Sequence, residues 1–131
     1  EYEVGGVRFT CPVRHIHGEA ETYGFNFYTS QHTISYIADT KFFPELLDHY
    51  RGDILIVNVL RVEPSDLDHL SVPDVRRIVE EVKPRVAILT HFGMTMLRAK
   101  PWEVAERLSG ETGVQVVAAR DGMSFDLDSL G

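Results

Sequence analysis

The stretch that decides the fold is residues 53–91, which read DILIVNVLRVEPSDLDHLSVPDVRRIVEEVKPRVAILTH. It begins and ends with nearly continuous apolar runs, 54–57 and 86–89, which are typical of strands covered on both faces. Between them Ser71 opens a capping box, and an apolar stripe at helical spacing follows it, made of Val75, Ile78, Val79 and Val82. Strand, helix and strand in succession predict a layered α/β fold.

The residues before this stretch predict antiparallel strands. Apolar and polar residues alternate with a period of two over 7–14, and Pro12 places that strand at an edge or a bend. Two more strands are predicted at 24–28 and 33–38, joined by a polar four-residue link that suits a hairpin. A short amphipathic helix over 43–50 then leads into the deciding stretch. The first third of the chain is therefore predicted to be antiparallel β.

The residues after this stretch predict a helix and two closing strands. Pro101 opens the helix, whose inward side is expected to carry Trp102, Ala105 and Leu108. Strands are predicted at 114–119 and 123–127 around a turn. The predicted order is β-β-β-α-β-α-β-α-β-β, in one α/β domain with a mixed sheet that spans residues 1–131.

Composition narrows the class of protein. The chain has 131 residues, 44% apolar and 25% charged, with no apolar run of roughly 18 residues and no basic-then-apolar leader, so we expect a cytoplasmic protein that does not contact membranes. Its formal charge of -7 argues against broad, nonspecific nucleic-acid binding, although a local basic strip stays open. Its single cysteine, Cys11, excludes an internal disulfide framework and a zinc site built from several thiolates.

Three predicted strand exits carry side chains of the metal-ligand types. One strand leads into Asp39, another into His91, and the first into His15 and His17. Loops at the carboxyl ends of strands converge in layered α/β folds, so these side chains could meet in one crevice. Two histidines at i and i+2 of a strand face the same side and could both reach one zinc ion. Each residue alone is more often a turn or surface residue, and only convergence favours a site.

The other histidines are less informative by position. His69 follows an acidic loop, 63–68, just ahead of the capped helix, from where it could hang over the crevice or cap its own loop. His32 lies in the hairpin link and His49 on an outer helix face, and both are predicted to be surface residues.

Four segments in combination resemble the metallo-β-lactamase-fold hydrolases, with the ribonuclease Z and phosphodiesterase-like branches most similar. They are Tyr36-Ile-Ala-Asp-Thr40, Asp53-Ile-Leu-Ile56, His69-Leu70-Ser71 and Ala87-Ile-Leu-Thr-His-Phe-Gly93. The resemblance extends over nearly the whole chain. It implies half of an αββα sandwich, with a mixed sheet and helices on one face.

The resemblance also implies roles for individual residues. Asp39, in Ala38-Asp39-Thr40, matches the family's carboxylate that bridges two metal ions, and His91 matches the histidine that completes the second site. His17, ahead of Thr22-Tyr23-Gly24, fits an earlier histidine ligand best, with His15 as its competitor. His69 matches a histidine that assists catalysis in the ribonuclease Z branch. The implied cofactor is a pair of divalent ions, zinc with manganese as the alternative, which activate a water for attack on a phosphodiester or related ester bond.

The family's HxHxDH loop, which supplies most of the ligands, has no match before His15. Together with the opening at Glu1 rather than Met, this absence predicts the carboxyl-terminal half of a longer hydrolase, inactive without its amino-terminal half. The expected partners are that missing half, an RNA or other phosphodiester substrate, and a second copy of the chain in a homo-oligomer. The alternative is a non-enzymatic α/β module for partner binding or dimerisation, with Asp39 and His91 as ordinary turn residues.

Overall fold

One mixed sheet organises the chain. The computed structural model describes residues 1–130, in which seven strands lie side by side in the order of the sequence. The strands are β1 (Tyr2–Val4), β2 (Val7–Thr10), β3 (Phe25–Tyr28), β4 (Thr33–Ile37), β5 (Ile54–Asn58), β6 (Val86–Thr90) and β7 (Gln115–Ala118). Strands β1 to β4 are antiparallel, and β4 to β7 are parallel. The carboxyl ends of β4, β5, β6 and β7 therefore lie at one edge of the sheet.

The helices cover one face of this sheet, as predicted. They are α1 (Glu45–His49), α2 (Val72–Val82), α3 (Met94–Arg98) and α4 (Pro101–Thr112), and a short 3-10 helix spans Leu127–Leu130. In β5 the side chains of Leu55 and Val57 pack beneath the helices with Ile78 and Leu108, in a cluster that excludes water almost completely. Burial of such a side chain contributes about 1.5 to 3 kcal/mol. Because most of the buried apolar side chains lie in this cluster, the helical face forms the main core.

The opposite face of the sheet is apolar as well, and it is covered only in part. Ile54, Val86 and Ile88 lie beneath the carboxyl-terminal segment, which packs Met123 and Phe125 against them. Over β1 to β3 the same face carries an aromatic patch that has no cover among residues 1–130, formed by Tyr2, Val4, Val7, Phe9, Phe25 and Phe27. We call this set the aromatic face.

The predicted strand at 123–127 is wrong. Residues 123–126 are irregular and lead into the 3-10 helix, because apolar side chains of this segment pack across the face of the sheet instead of adding a strand to it. The first predicted strand, 7–14, ends at Thr10, since Pro12 has no N–H to donate to a neighbouring strand. The sequence prediction also missed β1, which is joined to β2 through two glycines with positive φ, Gly5 and Gly6.

Two further predictions on the helices need correction. The one-turn helix α3 was missed, because five residues are too few to display a helical period. Trp102 does not face inward; its side chain is 64% exposed, and Pro101, Val104 and Ala105 make the contacts to the core instead. No helix within residues 1–130 is long and apolar enough to cross a membrane.

Candidate functional site

Two parallel strands bring Asp39 and His91 together. Asp39 follows the end of β4 and His91 follows the end of β6, with β5 between the two strands. Because all three strands end at the same edge, His91 Nδ1 lies 3.5 Å from Asp39 Oδ1. His91 also has a positive φ of 63°, a backbone conformation that costs a residue other than glycine free energy and is often found at functional sites.

The loop between β5 and α2 adds His69 to this pair. His69 Nδ1 lies 3.8 Å from Asp39 Oδ1, and the His69 ring is nearly parallel to that of His91 with 6.3 Å between the ring centroids. The end of the loop is fixed by the Leu60 N–H, which donates to the Leu70 carbonyl at 3.1 Å. Burial lowers the pKa of His69; Asp39 opposes this, and the neighbouring His17 and His91 lower the pKa further.

His17 completes the group from the other side. Its ring meets the ring of His69 edge to face, with 4.9 Å between the centroids. His17 Nδ1 lies 3.1 Å from the carbonyl oxygen of Asp68, and since a carbonyl can only accept, Nδ1 carries the proton. In the neutral ring the lone pair of His17 is then on Nε2, which the interaction with Asp68 leaves free. We call His17, Asp39, His69 and His91 the four-residue cluster.

The segment that carries His17 is clamped to the segment that carries Asp39. The Ile16 N–H donates to Thr40 Oγ1 at 2.9 Å, and the Lys41 N–H donates to the Ile16 carbonyl at 3.0 Å. The Thr40 side chain is fully buried and also donates to the Lys41 carbonyl. These bonds fix the segment before His17 against the segment after Asp39, although the bonded residues are some two dozen positions apart in sequence.

His15 does not share the environment of His17, so the expectation that both histidines face one side of a strand is wrong. The residues around His15 are not a continuous strand, and its side chain is buried. His15 Nε2 accepts the Ala38 N–H at 3.1 Å, and the ring packs edge to face on Tyr50. Burial lowers the pKa of His15 to about 4, with Asp39 acting in the opposite direction. His15 therefore supports the turn that presents Asp39 and is not itself in the cluster.

Asn58 is a site residue that sequence reasoning missed. It is buried at the end of β5, where its Nδ2 donates to Asp39 Oδ1 at 2.9 Å and its Oδ1 accepts the Tyr36 hydroxyl at 3.1 Å. These two hydrogen bonds, from Tyr36 to Asn58 and from Asn58 to Asp39, orient the Asp39 carboxylate. The available signal was an amide that closes the apolar run 54–57 at the same strand edge as Asp39.

His32 was predicted to be a surface residue, and this is wrong. Its Nδ1 lies 2.5 Å from Asp53 Oδ2, and its side chain is mostly buried. Burial acts to raise the pKa of Asp53, but hydrogen bonds from His32 and from the Thr33 N–H hold that pKa below its usual value. This pair lies where β4 and β5 begin, at the opposite edge of the sheet from the cluster. His49 is exposed, as predicted.

The donor types in the cluster are those that zinc and related divalent ions bind, namely imidazole nitrogen and carboxylate oxygen. Within residues 1–130 no three histidine, cysteine or acidic groups converge on one point as the side chains stand. One oxygen, Asp39 Oδ1, nevertheless lies within 3.8 Å of two imidazole nitrogens, those of His69 and His91. The residues thus fit a metal by chemistry and proximity, with fewer donors than a closed structural site requires.

Comparisons with known proteins show which family model, relatives and solved structures the chain is similar to. Residues 1–92, which contain the whole cluster, match the family model described as beta-lactamase superfamily domain. An uncharacterized protein of Methanocaldococcus jannaschii is 33% identical over 115 residues, a match that covers 85% of this chain and 42% of that protein. The chain therefore spans less than half the length of this curated relative.

Two solved structures illustrate the shared fold. The metallo-β-lactamase fold protein YhfI from Bacillus subtilis superposes with a TM-score of 0.79 at 18% identity, over 93% of this chain and 50% of that one. A diphosphatase of the PhnP family superposes with a TM-score of 0.68 at 27% identity, over 93% of this chain and 44% of that one. The likeness to YhfI concerns the fold alone.

Proposed function

Since the chain belongs to the β-lactamase superfamily, whose members generally bind divalent metals, we propose that it forms part of a metal-dependent hydrolase. The proposed reaction is hydrolysis of a phosphodiester or related ester bond. The observation that carries this proposal is the four-residue cluster, in which two imidazole nitrogens, those of His69 and His91, lie within 3.8 Å of Asp39 Oδ1 and the His17 ring packs on that of His69.

In this proposal Asp39, His17 and His91 hold the metal, with zinc the first candidate and manganese the second. A bound divalent ion would lower the pKa of a water and stabilise negative charge on a phosphoryl or acyl oxygen. His17 contributes Nε2, because its Nδ1 is committed to the Asp68 carbonyl. Asn58 orients Asp39, since its amide already donates to Oδ1 of that carboxylate.

His69 is proposed as the residue that assists the leaving oxygen. Its ring lies between those of His17 and His91, and its Nδ1 faces Asp39. A histidine held in this way can transfer a proton to or from a reacting group beside it. The support for this role is position: His69 is the member of the cluster whose ring is paired with the rings of both other histidines.

The substrate and partners belong to the proposal too. The 131 residues contain no HxHxDH motif, so we propose that the remaining ligands come from residues outside them, and that these 131 residues alone are inactive. A diphosphatase is among the similar structures, which favours a phosphate-containing substrate over other substrates. RNA is one such substrate; the net charge of -7 would then confine its binding to the neighbourhood of the site.

A second candidate is a non-enzymatic module that binds a partner or a second copy of itself. The aromatic face favours it, because Tyr2 and Val4 are 58% and 68% exposed on one side of the sheet. The two candidates differ in what they require of the four-residue cluster: only the hydrolase needs it to bind metal.

Calorimetric titration of zinc into the chain tests the hydrolase. The wild type should bind zinc weakly, and Asp39→Ala should reduce the affinity by more than about tenfold, because loss of a partner outside the ligand set already costs tenfold or more. His69→Ala should retain most of the affinity, since His69 is proposed to act on the leaving group.

His49→Ala serves as the matched control, because His49 is an exposed histidine outside the cluster. It should bind zinc as the wild type does. Equal losses in Asp39→Ala and His69→Ala, or no binding by a folded wild type, would contradict the proposed metal site and favour the interaction module.

A further inference from the structure

A groove begins beside the four-residue cluster and leads away from it. A cavity of about 370 Å³ is lined by His91, Phe92, Leu97 and Arg120. A second cavity of about 370 Å³ shares the last three of these residues and adds Trp102. Trp102 and Arg120 also line a third cavity, of about 530 Å³, between α4 and the carboxyl-terminal segment. These sizes are in the range of small-molecule sites.

Two apolar side chains in the walls of the groove are largely exposed to solvent. Leu97 is 53% exposed and Trp102 is 64% exposed, whereas other apolar side chains of the same helices, such as Met96 and Val104, are buried. The chain thus leaves a large aromatic surface open at this point. Ala118 and Ala119 stand opposite, and their small side chains leave space for a flat ring next to Trp102. Aromatic groups stack on such a ring at low entropic cost.

One cation lies in the groove. Arg120 follows β7 at the same sheet edge as His91, and its guanidinium has no ion pair with any acidic group within residues 1–130. A guanidinium binds phosphate oxygens through two parallel hydrogen bonds. The next residue, Asp121, also lines the groove and places a negative charge near that position. This carboxylate disfavours ligands with two negative charges more than ligands with one.

We propose that this groove is the subsite for the organic part of the substrate, and that it accepts phosphodiesters carrying an aromatic group. The aromatic group lies on Trp102, and the singly charged phosphate lies between Arg120 and His91. The proposal rests on the hydrolase function for the identity of the reacting bond. Binding in the groove requires only Trp102, Arg120 and the walls, so it can be measured without metal.

Trp102 is the only tryptophan of the chain, so its fluorescence reports directly on the groove. The test titrates diphenyl phosphate, a singly charged phosphodiester with aromatic groups, into the chain in the presence of EDTA. Dimethyl phosphate, which has the same charge and no ring, is the matched ligand. We expect a saturable change of Trp102 fluorescence with diphenyl phosphate, at an affinity at least about threefold higher than for dimethyl phosphate.

Substitutions of Arg120 and Trp102 distinguish the contribution of the guanidinium charge to binding from that of the aromatic ring. Arg120→Gln should weaken diphenyl phosphate binding by about tenfold, which corresponds to the loss of a charge-assisted hydrogen bond. Arg107→Gln is the control, because Arg107 is an exposed arginine on α4 that does not line the groove; it should bind as the wild type does. Trp102→Ala, followed by calorimetry, should weaken diphenyl phosphate binding by about three- to tenfold and leave dimethyl phosphate unchanged.

The outcomes distinguish this proposal from the proposed function. No saturable binding of diphenyl phosphate, equal affinity for the two diesters, or equal losses in Arg120→Gln and Arg107→Gln would each overturn the groove proposal. A chain that binds zinc but fails this test keeps its metal site and loses the subsite. A chain that binds diphenyl phosphate in EDTA but never binds zinc keeps the subsite, and the hydrolase is then contradicted.

Discussion

At the scale of single residues, the position of Asp39 is set by bonds that reach it from three directions. Asn58 donates to its carboxylate, and the Thr22 hydroxyl donates to its backbone carbonyl at 3.4 Å. The preceding Ala38 N–H is held by His15. Each bond alone contributes about 1 kcal/mol to stability, but together they remove the freedom of the turn to move the carboxylate away from His91.

His15 makes the stability of the chain depend on pH. Its pKa is about 4 in the folded chain against 6.5 for an unperturbed histidine, because the buried ring must stay neutral. The unfolded chain takes up this proton first as pH falls, so the stabilisation is complete above pH 6.5 and is lost between pH 6.5 and 4. The loss should reach roughly 3 kcal/mol, measured as the change in free energy of unfolding in urea.

His15→Phe should be less stable than the wild type at pH 7, because the Ala38 N–H loses its acceptor, and its stability should fall less steeply between pH 6.5 and 4. His49→Phe changes an exposed histidine and should leave the slope unaltered. Identical slopes for wild type and His15→Phe would show that His15 does not carry this pH dependence.

At the scale of elements, the beginning of α2 fixes the loop that carries His69. Asp74 Oδ2 accepts hydrogen bonds from both the backbone N–H and the hydroxyl of Ser71, at 3.0 and 2.9 Å. The Val72 N–H donates to the Arg61 carbonyl, which ties the same residues to the end of β5. Helix capping thereby determines where the histidine loop ends.

Asp74→Ala should lower the free energy of unfolding by about 1 kcal/mol, the usual cost of losing a helix cap. Urea denaturation followed by circular dichroism measures this loss. Asp66→Ala is the control, since Asp66 is an exposed aspartate in the preceding loop. Equal stability of the two variants would contradict a capping role for Asp74.

At the scale of the whole molecule, the two faces of the sheet are unequally covered. The helical face is closed, whereas the aromatic face exposes Tyr2, Val4 and Val7 beside one another. Apolar side chains that are contiguous and exposed favour association with another surface. A second copy of the chain is the partner that is always present.

Sedimentation velocity at increasing concentration should therefore show association of the wild type, and the double variant Tyr2→Ser/Val7→Ser should weaken it. Leu67→Ser removes a comparably exposed apolar side chain, 50% exposed, from a loop outside the aromatic face and should associate as the wild type does. A wild type that stays monomeric at high concentration would contradict this prediction.

The sequence by itself determined the strands β4, β5 and β6 and the helices α2 and α4. The spacing of apolar residues in each of these elements indicates which side is buried, and this spacing can be recognised within the element alone. The sequence-based prediction failed for β1, α3 and the segment 123–127. The elements β1 and α3 are too short to show a distinctive helical or strand spacing, and the apolar residues of 123–127 pack across the face of the sheet instead of adding a strand to it. The candidate positions Asp39, His91 and His17 followed from predicted strand ends. His69 followed from its place ahead of the capped helix, and the family resemblance then implied a role for each of them.

Only the tertiary structure decided which of these side chains meet. The hydrogen bonds of His15 with Ala38, of Asn58 with Asp39 and of His32 with Asp53 join residues about 20 positions apart. His17 contacts Asp68, which is 51 positions away. The exposure of Trp102 beside Arg120 likewise results from how α4 lies on β7. The period of apolar residues along a helix or strand indicates only which side of that element is buried. Hydrogen-bond partners and cavities depend instead on strand register and on how loops bring distant segments together.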